Sequence, residues 1–300
     1  MIGPTGSSAE YPFTDRDFRI IADIAYRESG ISLPEGKLQL VYSRLVKRVR
    51  SLRLSSFHEY CDIVRNNDAV EERQHLISAL TTNVTRFRRE AHHNEHLRNN
   101  VLPEVIDRAL RGDRVRFWSA ACATGQEAYE IAFELLATCP NAADLDVRIL
   151  ATDIDPVSLA TAQAGTYGSA ALTGLPDSTV RQFFRPLADA TDRVTVTEAA
   201  RRLIAFRNLN LVRPWPVKGP FDAVFCRNVA IYFDVGTQEQ LWCRFAEVIA
   251  PGGALYIGHS ERLSGAAAGS FSADGVTTFR RRPAGTETIL PTMVGTKGTI

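Results

Sequence analysis

Cysteine is scarce and unpatterned in this chain. The five residues, Cys61, Cys122, Cys139, Cys226 and Cys243, are odd in number and nowhere form a C-x-x-C pair. That excludes a disulfide scaffold and a structural zinc site, and it fits a reducing, cytoplasmic setting. No apolar stretch approaches the length of a membrane span, and the Gly/Ser-rich start from Met1 to Glu10 has no basic-then-apolar run, so neither membrane insertion nor a signal peptide is expected. Neither sign of charge is in excess: Lys plus Arg number 35 against 34 acids, a formal net charge of +1. Without a global field to attract nucleic acid or membrane, electrostatic recognition must be local. A G-x-S-x-G elbow, a G-x-x-x-x-G-K-[ST] loop, an H-E-x-x-H pair and internal repeats are all missing. What remains is an ordinary core supply, 45% hydrophobic residues over 300 positions, enough for about two domains.

Residues Tyr11 to about Arg89 read as helix throughout, with breaks at Gly30 to Gly36, Leu54 to Phe57 and Asn66 to Asp68. From Gln39 to Arg53, Val41, Leu45, Val49 and Leu52 form an apolar stripe, while Arg44, Lys47, Arg48 and Arg50 crowd the other side. No acid lies between Lys37 and Arg53, so an uncompensated positive face is expected, either a plain solvated surface or a dock for an acidic partner.

From Val115 onward strands alternate with helices, the pattern of a parallel sheet with covered faces. Val115 to Ala121 is a strand, Cys122 to Gly125 a small-residue turn, Gln126 to Ala137 a helix by apolar spacing, and Val147 to Thr152 a strand running into Asp153. Pro156 to Ala164 is a helix. Gly165 to Arg202 breaks the rhythm, and the alternation from Arg193 to Thr197 predicts an antiparallel strand in a small insertion. Leu203 to Asn208 and Phe221 to Cys226 resume the sheet. A helix from Thr237 to Ala250, a Pro251-Gly252-Gly253 turn, a strand from Ala254 to His259 and a hairpin around Ala273-Asp274-Gly275 follow. Beyond Pro283 the unpatterned Gly/Thr-rich sequence predicts a disordered tail.

Ligands of doubly wound sheets sit outside the carboxyl ends of the strands, where an acid after the second strand can hold both ribose hydroxyls. A pyrophosphate would need glycines at G-x-G-x-x-G spacing; this turn has one, Gly125, and no lysine or arginine. A phosphate-free ligand is therefore expected. S-adenosylmethionine fits, offering a ribose to Asp153, an ammonium to a carboxylate such as Glu127, and a sulfonium that tolerates acidic surroundings. Singly, Gly125 reads equally as a tight turn, Glu127 as a first-turn acid favoured by the helix dipole, and Asp153 as an exposed loop residue. Their convergence at one end of adjacent strands makes the site.

Two further clusters carry polar chemistry. Thr81 to Glu90 offers hydroxyls, an amide and three guanidiniums where helical and α/β segments join, and it also reads as a capped basic helix. Phe221 to Asp234 is an apolar strand ending in Arg227-Asn228 and continuing to Tyr232. His92, His93 and His96 have helical spacing that could hold a metal, but the pattern suits a solvated helix face equally, and no metal is expected.

From Tyr11 to Arg282 these residues resemble the chemotaxis receptor methyltransferases, the CheR family. The matching blocks are Gly30-Ile-Ser-Leu-Pro with Lys37 and Ser43-Arg-Leu; Thr82-Asn-Val-Thr with Arg89-Glu90; Trp118 through Glu127; Ala151-Thr-Asp-Ile-Asp155; Phe206 through Leu211; Phe225-Cys-Arg-Asn-Val with Ile231-Tyr-Phe; and Pro251-Gly-Gly with Gly258-His-Ser-Glu261. The resemblance implies an α/β fold: a Rossmann-like S-adenosylmethionine methyltransferase sheet (91–282), an N-terminal all-helical domain (11–90), a small inserted antiparallel β-subdomain (165–202) and a tail (283–300). It implies a cytoplasmic enzyme that methylates glutamates on the cytoplasmic helices of chemoreceptors, giving γ-methyl esters and S-adenosylhomocysteine. Asn83, Thr85, Arg89, Glu127, Asp153, Asn210, Leu211, Arg227 and Asn228 would bind the cofactor; Arg89 and Tyr232 would serve the chemistry.

The sequence departs from the family pattern at Arg88 (usually Phe), at Ala128 and Glu130 (usually Pro and Ser) and at Ala230 (often Met). Leu187 to Asp192 contains no glycine, which counts against tethering to a receptor-tail peptide. These departures keep a second reading open, a cofactor-binding scaffold or sensor with little methyl transfer. An amine methyltransferase is disfavoured by the lack of an Asn/Asp-Pro-Pro-Tyr motif.

Overall fold

The computed structural model describes residues 10–187 and 190–283. Past Pro283 the expected tail lies outside the described residues, as do positions 188 and 189 of the glycine-free stretch.

Four helices build the N-terminal lobe: α1 (Asp15–Ser29), α2 (Leu38–Ser51), α3 (Phe57–Arg65) and α4 (Val70–Leu80). Their ends are chemically marked. Thr14 and Asp17 form a capping box on α1, left-handed Gly30 ends it, and Ser56 caps α3. One stripe of each helix meets in a common core around Ile21, Leu45, Tyr60 and Leu76. A strap without regular structure (81–91) then leads into α5 (His92–His96), a π-helical turn (Leu97–Val101) and α6 (Leu102–Leu110).

The main sheet comprises β1 (Val115–Ala120), β2 (Val147–Asp153), β6 (Ile204–Asn208), β7 (Phe221–Cys226), β8 (Ile249–Ile257), β9 (Phe271–Gly275) and β10 (Thr278–Arg281), in the order β6-β2-β1-β7-β8-β10-β9. The first five in that order run parallel, and β10 is antiparallel to both its neighbours. Period-two alternation splits β1 between two cores: Val115 and Phe117 pack with α6 and α7 (Gln126–Thr138), while Trp118 and Ala120 pack with α11 (Val235–Val248). The helix α8 (Pro156–Ala164) follows β2. The predicted insertion is a separate antiparallel sheet, β3 (Thr166–Gly168), β5 (Ala190–Val196) and β4 (Phe184–Leu187), with α9 (Asp177–Phe183) and α10 (Glu198–Arg202).

Three local expectations are corrected. The glycines at 252 and 253 do not separate helix from strand: β8 already starts at Ile249, and its register against β7 jumps from Phe221↔Ile249 to Ala223↔Ala254, a bulge that Gly252 accommodates at φ +79°. The hairpin apex is Val276-Thr277, one step beyond the predicted turn, because Gly275 still pairs with Thr278. The basic face of α2 is not uncompensated. Arg48 pairs with Glu72, Arg50 pairs with Glu10, and Arg44 donates to the carbonyls of Leu80 and Thr81. These acids come from segments distant in sequence, and only Lys47 of the four cations holds no such partner among the described residues.

Candidate active site

In the sheet order the chain reverses direction at β1, with β2 on one side and β7 on the other, and such switch points leave a crevice at the carboxyl ends. Here it is a cleft of ≈ 920 Å³, counted out to its open mouth, with the strap and the end of α1 forming the facing wall. All ten residues singled out from the sequence line it: Asn83, Thr85, Arg89, Glu127, Asp153, Asn210, Leu211, Arg227, Asn228 and Tyr232.

The turn after β1 puts Ala121, Ala123 and Gly125 in the left-handed region, which only the glycine adopts without steric cost, so the two alanines are held there by their surroundings. A Cβ on Gly125 would lie 2.8 Å from that of Ala162. This glycine therefore serves the packing of α7 against α8. The freed Ala123 N–H donates to Asp153 Oδ2 at 2.8 Å, and Asp155 N–H donates to Oδ1 at 2.9 Å. Asp153 is 5% exposed, so it is no exposed loop residue. Burial is the main influence raising its pKa, against those two donors. Each carboxylate oxygen retains a further acceptor site.

Glu127 Oε1 accepts from Ser119 Oγ and Oε2 from Arg227 Nε, both at 2.6 Å. The buried Arg227 also donates to the Arg89 carbonyl at 2.7 Å and to His93 Nδ1 at 3.3 Å. A guanidinium only donates, so Nδ1 accepts and His93 Nε2 carries the proton toward Thr277 Oγ1, 2.9 Å away. Burial first, then Arg227, push the His93 pKa down to about 3. His96 bridges Tyr256 and Asp274. The three histidines are thus used in packing, and among the described residues no group of three or more His, Cys, Asp or Glu is set to hold a metal.

Asn83 Nδ2 donates to Asp155 Oδ2 at 2.7 Å, and Asn210 Nδ2 donates to the Glu28 carbonyl at 2.6 Å. Both amides therefore fix the lobes against one another as well as lining the cleft. Arg89 donates to the Val84 carbonyl within the strap. Leu211 is an apolar wall, and Tyr232 sits half-buried on a 3-10 turn. Asn228, left-handed at φ +59°, lines the cleft, and its Oδ1 is buried without a hydrogen-bond partner.

Two residues carry more of the site than the sequence disclosed. Asp155 caps α8 through Val157 N–H and Ser158 N–H and also accepts from Ser78 Oγ of the helical lobe. The cap is legible in Asp155-Pro156, the grip on Ser78 is not. Glu261 accepts the backbone N–H groups of Asn228, Val229, Ala230 and Gly258, holding the loop between Asn228 and Tyr232. Nothing local in the sequence marks that role.

Residues 83–279 match the family model described as CheR methyltransferase, SAM binding domain, and residues 16–81 match CheR methyltransferase, all-alpha domain. A probable chemotaxis protein methyltransferase of Rhizobium etli is 50% identical over 256 residues, covering 85% of this chain and 96% of that protein. Chemotaxis protein methyltransferase 2 of Pseudomonas aeruginosa is 40% identical, covering 87% of this chain and 91% of its own length. The chemotaxis protein methyltransferase of Escherichia coli is 40% identical, covering 84% and 86% respectively.

Proposed function

The chain belongs to the CheR methyltransferase family, and from that premise we propose that its cleft takes S-adenosylmethionine together with a chemoreceptor glutamate and returns S-adenosylhomocysteine and a glutamyl γ-methyl ester. The observation that carries the cofactor assignment is the convergence of Glu127 and the buried Asp153 on one cleft at the carboxyl ends of the strands, with acceptor sites left on both Asp153 oxygens. Asp153 would accept the ribose hydroxyls with its remaining acceptor sites, and Glu127, already shared by Ser119 and Arg227, would accept the amino group.

Bound there, the cofactor supplies an electrophilic methyl group. The protein needs no general base, because a glutamate with an ordinary pKa of about 4.3 is ionised at neutral pH. Its work is alignment and exclusion of water, worth about 7 to 11 kcal/mol when the geometry is right. Arg89 orients the incoming carboxylate by charge-assisted hydrogen bonds, and Tyr232 positions the carboxylate or the methyl group. We read 11–90 as the receptor-facing domain and 91–282 as the methyltransferase domain with its 165–202 insertion. The partner is the cytoplasmic helical part of a chemoreceptor, and no helix among the described residues is long and apolar enough to cross a membrane.

The test incubates the protein with methyl-labelled cofactor and receptor-bearing membranes, and asks whether base releases the label as a methyl ester should. Calorimetry with S-adenosylhomocysteine runs beside it. Binding without transfer selects the scaffold reading, and no heat with donor or product sinks the cleft assignment.

A further inference from the structure

Arg88 and Glu130, two of the positions where the sequence departs from the pattern it otherwise follows, meet in the structure. Arg88 N–H donates to Glu130 Oε1 at 2.6 Å. Glu130 lies on α7, one turn beyond Glu127, and is 5% exposed. The strap it touches is unusual on both sides of Arg89: Arg88 has φ +58° and Glu90 φ +55°, conformations that non-glycine residues adopt only when the surroundings hold them there.

The holding groups can be named. On one side of Arg89, Glu130 binds the Arg88 N–H. On the other, Arg227 binds the Arg89 carbonyl and is itself gripped by Glu127. Glu90 is anchored by the His259 N–H at 3.1 Å, and Phe87 is buried against Tyr167 and Phe184. The first two turns of α7 thus supply both carboxylates that bracket Arg89.

We propose that Glu130 is a positioning residue for methyl transfer: its carboxylate locks the left-handed Arg88 peptide and so sets where the Arg89 guanidinium meets the receptor glutamate. This rests on the methyltransferase reading above and deepens it.

The role carries a pH signature that plain packing lacks. Burial pushes the Glu130 carboxyl up to about 7. The Arg88 N–H and Arg227 from the end of β7 oppose that rise, while Glu127 and Glu134 on the same helix add to it. As pH falls through this value, Glu130 takes up a proton and exchanges a charge-assisted acceptor for a weaker neutral one. The receptor glutamate, ordinary at about 4.3, stays ionised over the same interval.

The experiment compares wild type, Glu130→Ala and Glu130→Gln for base-labile methyl transfer between about pH 6 and 8, with S-adenosylhomocysteine affinity measured by calorimetry. Glu130→Ala, without an acceptor, should lose about 100-fold in kcat, the scale of a small misplacement of a catalytic group, with product affinity unchanged. Glu130→Gln keeps an acceptor, so it should retain more activity and lose the ionisation near neutrality that wild type shows. Should the alanine variant not fold, the nearly isosteric glutamine variant decides. A wild type that transfers methyl alongside variants with wild-type kcat and pH profile overturns Glu130 alone; a wild type that transfers none overturns the function beneath it.

Discussion

Glu261→Gln is the sharpest probe of how the site is held. Glu261 is 3% exposed, and its oxygens share four backbone donors: Oε1 accepts from Val229 at 2.9 Å and Ala230 at 2.7 Å, Oε2 from Asn228 at 3.0 Å and Gly258 at 2.6 Å. Glutamine preserves the shape but turns one oxygen into an NH2, which can only donate. Whichever way the amide turns, two N–H groups lose their acceptor and confront a donor. Each buried donor left unpaired costs about 1 to 3 kcal/mol, so the substitution should destabilise by about 2 to 6 kcal/mol. The damage falls on the loop carrying Asn228 and Tyr232, so affinity for S-adenosylhomocysteine should fall with it. Urea unfolding at unchanged slope reads the first effect, and calorimetry reads the second. A loss under about 1 kcal/mol with product affinity intact would refute the clamp, since even one orphaned donor should exceed it.

Arg89→Ala should lower turnover by at least about 100-fold while S-adenosylhomocysteine still binds; unchanged turnover removes the arginine from the chemistry. Lys47→Glu should weaken receptor methylation by about tenfold at low ionic strength, and the effect should fade with salt, if α2 meets acidic receptor residues. Its thermal stability should match wild type, unlike reversal of Arg48, which would also break the pair with Glu72. For Glu130, whose pKa in the fold is raised to about 7 from an ordinary 4.5, the linkage has a definite sign: the fold favours the protonated form, so the stabilisation present below the ordinary value is lost as pH rises through the raised one. Glu130→Gln should therefore melt higher than wild type at about pH 8 and lose that advantage at about pH 5; a melting difference independent of pH contradicts this assignment.

Much of this molecule was legible in the chain because the relevant physics is short-range. The bounds of α8 coincide with the prediction: Asp155 caps it, Pro156 occupies its first turn and Gly165 closes it in the left-handed region. The parallel strands announced themselves as apolar runs because both faces of the sheet are covered, and all six residues of β7 are buried. The hairpin apex lies past the turn-forming residues because Thr277, a poor residue for a left-handed turn at φ +51°, is held there by His93. The positive face of α2 is neutralised by Glu72 and Glu10, which lie far away in sequence and so leave no local sign of the pairing. The strap could as easily have been a helix; its path is set by Glu130, Arg227 and the buried ring of Phe87.

Periodicity, caps and turn chemistry determined which segments became helices and strands, which ends of the strands would face a ligand, and that the ligand would lack phosphate, since each depends on neighbours within a few residues. Only the tertiary structure decided which charges are neutralised, which acids are buried and which peptide groups are clamped around Arg89. Those outcomes depend on desolvation and on hydrogen bonds between elements that are distant in sequence and meet only in the folded chain.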